Sequence, residues 1–132
     1  MASEQHPVEL ILARGLLSNL TTPAFLVDAP GNLVYYNDAA GELLGLRFEE
    51  AGPMARADWA SRFEPIDPNG QPLDAESLPI VIALRHGRPA HTTMRIRPAT
   101  GEPRDLEVSA FPIIGTGGQR GAMAIFWTVG GG

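Results

Sequence analysis

The sequence predicts an α+β fold: a five-stranded antiparallel sheet in strand order 2-1-5-4-3, with short helices and one longer helix on one face, plus an N-terminal amphipathic helix. Three stretches lead there. Pro23 to Gly45, PAFLVDAPGNLVYYNDAAGELLG, reads as strand, turn, strand and helix; residues 90–110 alternate as a hairpin; and Ala122 to Val129 is apolar on both faces. A strand buried on both sides belongs inside a sheet, so the last strand inserts beside the first.

Taken in order, residues 1–7 are polar and end at Pro7, and Val8 to Leu20 follows as an amphipathic helix. Leu10, Ala13, Leu17 and Leu20 recur at spacings of three and four, and Ile11, Leu12 and Leu16 widen that stripe. Gly15 weakens this helix by about 1 kcal/mol relative to alanine. In the next stretch, Phe25 to Val27 is a strand, and Pro30 presets φ for the second position of the turn Ala29 to Asn32. Leu33 to Tyr36 is the second strand. Asn37 and Asp38 both have side-chain oxygens suited to capping the helix that ends at Gly45.

Leu46 to Glu64 has no clean period, and short helical turns are expected around Ala57 to Arg62. Asp67-Pro68-Asn69-Gly70 is a turn that lacks the further acids of a calcium loop. Asp74 to Gly87 is the longer helix, with Asp74 as cap, Pro79 in its opening turns, and Arg85, His86 and Gly87 at its end. From Ala90 to Pro98, Ala90, Thr92, Met94, Ile96 and Pro98 face one way, and His91, Thr93, Arg95 and Arg97 the other. A hairpin centred on Gly101 sets Arg97 opposite Asp105 and Arg95 opposite Glu107, so an exposed Arg95–Glu107 pair is expected. Gly115 to Gln119 turns the chain into the last strand, where Ala124 and Phe126 lie on one face and Met123, Ile125 and Trp127 on the other.

Composition narrows the function. The chain has 132 residues, one domain's worth, which divides as a polar segment and helix over 1–20, the domain proper over 21–129 and a glycine tail over 130–132. A formal charge of −5 with ten Lys and Arg argues against direct nucleic-acid binding. There is no cysteine, hence no disulfide and no thiolate chemistry. No stretch reads as a secretory signal or membrane span, and a cytoplasmic location is expected. His6, His86 and His91 are the only histidines, and none sits in a nucleophile motif or at metal-pair spacing. No catalytic residue, no metal site and no enzyme activity is therefore expected.

The stretches FLVDAPGNLVYYNDAAGELLG, DPNGQPLDAESLPIVIALRHGRP, TGEPRDLEVSAFPI and GAMAIFWTV, in that order, make the chain resemble the PAS domain family from Leu17 to Val129. The resemblance implies a sensory or interaction module in signal transduction, commonly dimeric, with a ligand cavity between sheet and helices. Such domains regulate a kinase, cyclase, phosphatase or transcription factor. One departure is the end of the last strand. Where relatives that drive a downstream helix carry an Asp-Ile-Thr-like signal, this chain runs Trp127-Thr128-Val129 into three glycines, which fits a stand-alone domain or a fragment.

The absent cysteine excludes the cysteinyl-flavin and covalently attached chromophores of the family, while a non-covalent small ligand, flavin included, stays open. His86 and His91 stand near where haem-binding relatives place their ligand, but His91 shares the solvent face with Arg95 and Arg97, which argues against haem. Two roles follow. In one, Phe25, Val27, Tyr35, Met94, Ile96, Val108 and Phe126 line a cavity where Tyr35, Asn37 or Thr128 supplies polar contacts; the same side chains could equally fill a dry core. In the other, the module works by docking, as a homodimer through the Val8 to Leu20 helix and the outer sheet face or with a signalling partner. The last strand's second apolar face needs a cover, and that helix is the apolar element left to provide it.

Overall fold

The computed structural model describes residues 7–55, 58, 66–67, 69–74, 77–96, 102–115 and 117–129. Its elements are α1 (Val8–Leu17), β1 (Ala24–Asp28), β2 (Leu33–Tyr36), α2 (Asp38–Leu44), α3 (Phe48–Ala51), α4 (Pro79–His86), β3 (Ala90–Ile96), β4 (Arg104–Gly115) and β5 (Gly118–Thr128). The five strands form one sheet in the order β2-β1-β5-β4-β3, and its pairings are antiparallel. This is the predicted topology, with β5 at the centre.

Two hydrophobic layers lie on opposite faces of that sheet. On the inner face Val27, Met94, Ile96, Leu106, Val108 and Phe126 meet Leu78, Ile80, Val81 and Ala83 around α4 and Ala40 and Leu44 of α2. On the outer face Leu10 and Leu17 of α1 close over Ala24, Leu26, Val34 and Met123. The cover that β5's second apolar face requires is thus α1, as its stripe predicts. Trp127 lies beyond the helix and stays 41% exposed.

Local chemistry sets the boundaries, and several differ from expectation. α1 ends at Leu17, three residues early: the chain leaves it in tighter turns, with Asn19 N and Leu20 N donating to Leu16 O and Leu17 O, and the Asn37 side chain also donates to Leu17 O. α4 starts at Pro79 with Leu78 as its N-cap, so Asp74 does not cap it. Proline has no N–H to give a preceding turn and its ring suits the first helical position, so it opens this helix instead of sitting inside it. In the first hairpin Gly31 N donates to Asp28 O at 2.9 Å, which starts the turn one residue earlier than expected and moves Pro30 to its third position. Gly45 and Gly87 both end their helices in the left-handed conformation, as predicted. The turns expected around Ala57 to Arg62 fall outside the described residues, apart from Asp58.

The β3–β4 register also differs. Arg95 pairs with Asp105, and Thr93 with Glu107, so the predicted Arg95–Glu107 pair is not formed. A slip of two residues leaves every side chain on its face, so face alternation could not separate the two registers. Arg95 Nε donates to Asp105 Oδ1 at 2.7 Å on the exposed face. That hydrogen bond, and then the guanidinium charge, hold the Asp105 carboxyl below its ordinary range. A lowered folded value means the contribution is present above the unfolded value and is lost as pH falls through the folded one. A carboxyl NMR titration is expected to place the Asp105 midpoint below that of a free aspartate, and Arg95→Gln to return it. The effect on stability should be small, because both groups are solvated.

Candidate functional site

The inner face gathers most of the residues singled out in the sequence. Phe25 and Phe126 lie with ring centroids 5.9 Å apart across neighbouring strands, and Val27 is fully buried beside them. Met94 and Ile96 arrive from β3 and Val108 from β4, all in the same cluster. Thr128, half-buried opposite Leu106, stands at the end of β5 on that side. These side chains form one apolar layer under α4.

Tyr35 and Asn37 are placed elsewhere. A bulge between β1 and β2 sets Leu26 opposite Tyr35 and Val27 opposite Leu33, leaving Val34 as an extra residue. Val34 and Tyr35 consequently both join the outer layer, while Leu33 and Tyr36 join the inner one. Tyr36 is the buried tyrosine, and its hydroxyl donates to Leu46 O.

Asn37 is a structural hub. Its Oδ1 accepts from Ala40 N at 3.0 Å, capping α2, and from Ala24 N at 3.1 Å, fixing the start of β1. Its Nδ2 donates to Thr22 O at 2.9 Å and Leu17 O at 3.1 Å, which ties down the chain leaving α1. Both acceptor pairs and both amide protons are committed within the fold, so this side chain has nothing left to offer a ligand.

The outer face carries features that the sequence reading missed. The Arg14 guanidinium lies 4.5 Å from the centroid of the Tyr35 ring, and Phe48, which packs on the inner cluster, meets Tyr35 and Tyr36 edge-on at 5.2 and 5.3 Å. Burial pushes the Tyr35 hydroxyl up, with Arg14 opposing. Glu9 approaches Arg120 of β5 at 3.7 Å. Arg14 stands one helical turn after Leu10, hence on the sheet side, and that spacing was the available signal. Further along the sheet, His91 Nε2 meets Glu107 Oε1 at 2.5 Å, and Thr93 Oγ1 donates to Glu107 Oε2 at 3.1 Å, beside Trp127.

Among the described residues, the opposite side of α1 has no such partners in its own chain. Val8, Ile11, Leu12 and Leu16 all point to solvent, over half exposed, although they are large apolar residues. Among the described residues no group of three His, Asp or Glu could hold a metal ion, and no helix is long and apolar enough to cross a membrane.

Comparison with known proteins bears on the fold. The family model described as the PAS fold matches residues 12–52. The structure is similar to the PAS domain of Bordetella pertussis BvgS, at 15% identity and TM-score 0.59 over 92% of this chain and 85% of that one. It is similar to the PAS domain of nitrogen regulation protein NR(II) from Vibrio parahaemolyticus, at 18% identity and TM-score 0.62 over 89% and 98%. A LOV protein from Rhodobacter sphaeroides aligns at 18% identity and TM-score 0.70 over 95% of this chain and 70% of its own. No curated protein sequence matches the chain.

Proposed function

We propose that this chain, which is a PAS domain, is a non-catalytic regulatory module that acts through self-association of its N-terminal helix. The sensory setting is drawn from the similar structures, among them domains of a nitrogen regulation protein and of a two-component sensor histidine kinase. The observation that carries the self-association is the two-sidedness of α1. Leu10 and Leu17 are 1% and 0% exposed against the sheet, while Val8, Ile11, Leu12 and Leu16 are 61%, 57%, 68% and 56% exposed on the other side. A helix needs only one apolar side to hold its own domain, and a second one marks a docking surface.

Magnitudes favour a reversible dimer. Each fully buried Leu, Ile or Val contributes roughly 1.5 to 3 kcal/mol, so these four partly exposed side chains supply roughly 4 to 7 kcal/mol per protomer. Doubled across a two-fold axis, that is comparable to the roughly 4 to 15 kcal/mol opposing association. Light scattering tests it with Leu12→Glu and Leu16→Glu, which alter the outward side alone; Leu17 is unsuitable because it is in the core. Both variants are expected to stay folded and monomeric where the parent chain is dimeric. Unchanged mass in both would remove the reading.

A second role, small-molecule binding, is supported by the convergence of Phe25, Val27, Met94, Ile96, Val108 and Phe126 on one apolar layer between sheet and α4. With Asn37 committed and Tyr35 outside, Thr128 is the remaining polar side chain of those expected there. The ligand class is accordingly apolar or aromatic and held without a covalent bond. Native mass spectrometry with absorbance from the near ultraviolet to the visible is expected to reveal such a passenger in freshly purified protein. A bare mass and a featureless spectrum leave docking as the function.

A further inference from the structure

We infer that Gly15 marks the point where the α1 helices of two copies of this chain cross, an inference that rests on the dimer reading above and deepens it. Among the described residues, nothing within one protomer calls for a glycine here. It lies inside a helix, where glycine is among the poorest formers. A Cβ at this position would meet no described residue within 4 Å, and its φ lies outside the left-handed region. Ser18 Oγ and Asn19 Nδ2 both donate to its carbonyl, at 2.8 and 3.0 Å, but any residue supplies that oxygen.

Its surroundings give the reason. Ile11 precedes Gly15 by one turn, Leu12 by three residues and Val8 by two turns, so the glycine is a notch in the exposed apolar side. The two charged residues of α1 are both turned to their own domain, Glu9 to Arg120 and Arg14 to Tyr35. The outward stripe of Val8, Ile11, Leu12, Gly15 and Leu16 is itself uncharged, and the exposed Arg14 stands at its edge, over Tyr35. Such a side suits another like itself: in a two-fold pair the apolar side chains of each copy fit beside the notch of the other, and neither buries an unpaired charge. A nucleic acid or an anionic membrane would require a cluster of basic residues there, and α1 carries a single one, Arg14, held over Tyr35.

The area offered also requires a close crossing. Four partly exposed aliphatic side chains fall short of the roughly 800 Å² per partner of a standard interface. A small residue at the crossing lets two backbones approach closely, which brings the flanking Ser18, Asn19 and Leu20 into the contact.

Gly15→Ala tests this because the two partners of the equilibrium should respond in opposite directions. Thermal denaturation at high dilution, where the chain is monomeric, is expected to show a higher melting temperature, since alanine favours the helix and meets no clash. Sedimentation equilibrium of the same variant is expected to show a dimer at least tenfold weaker. Leu12→Glu, measured alongside, is expected to give monomer only. A Gly15→Ala dimer as tight as the parent's overturns the crossing point, and if Leu12→Glu still dissociates, the dimer reading survives that failure. A parent chain that stays monomeric at high micromolar concentration removes both.

Discussion

Asn37→Ala is expected to lower the stability of the domain by about 3 to 5 kcal/mol, a large share of the roughly 5 to 15 kcal/mol typical of a folded domain. The substitution removes the N-cap of α2, worth about 0.5 to 2 kcal/mol by itself. It also strips the side-chain partner from the Ala24 amide and the Thr22 carbonyl, and one of two donors from the Leu17 carbonyl, which keeps Leu20 N, in a site where Asn37 is 2% exposed. Each buried polar group left without a partner costs about 1 to 3 kcal/mol, partly recovered where water enters the space. Urea denaturation should show the loss as a lower midpoint with an unchanged slope. Asn37→Asp separates the two halves of the hub. The carboxylate keeps the acceptor that caps α2 and holds Ala24 N, but has no proton for the carbonyls of Leu17 and Thr22. Faster amide exchange over residues 18–22, with α2 still protected, is the expected signature; equal exchange in both segments would mean that Asn37 does not hold α1 in place.

Gly121→Ala is the second large effect, with an expected loss of about 2 to 4 kcal/mol. A Cβ at this position would stand 2.2 Å from the Val27 carbonyl oxygen and 3.0 Å from Leu10 Cδ2. The first obstacle is backbone, so no rotamer change relieves it. β1 and β5, paired here through Asp28 and Gly121, must separate locally, and Leu10 must lift with them. The damage therefore reaches both the centre of the sheet and the seat of α1. Gly41→Ala serves as a control, since its Cβ would meet its nearest atoms at 3.4 Å. It should cost well under half as much. Matching midpoints for the two variants in thermal or chemical denaturation would refute the close approach of the strands.

How much of this was legible in the sequence depended on which physical signal carried it. Strand order followed from one observation, the two apolar faces of Ala122 to Val129, and the same observation demanded a cover that α1 supplies. Helix ends written by Asn37, Gly45 and Gly87 were readable because their chemistry is local. Register was not: Arg95 faces the predicted way yet meets Asp105, because alternation repeats every two residues and the loop between the strands sets the rest. The site was harder still. A single extra residue, Val34, reverses the face of Tyr35 relative to Leu33, and a bulge leaves no signature in hydrophobic alternation. Asn37 was legible as a cap and illegible as a hub, since its partners at Leu17 and Thr22 become neighbours only when α1 folds back over the sheet.

Sedimentation equilibrium of the intact chain, from low to high micromolar concentration, tests the central claim most directly. If α1 seals the sheet with one side and binds a second copy with the other, the mass should rise from that of one chain to that of two, along a single monomer–dimer isotherm. A mass of one chain across the whole range, with α1 still protected from amide exchange, would contradict it.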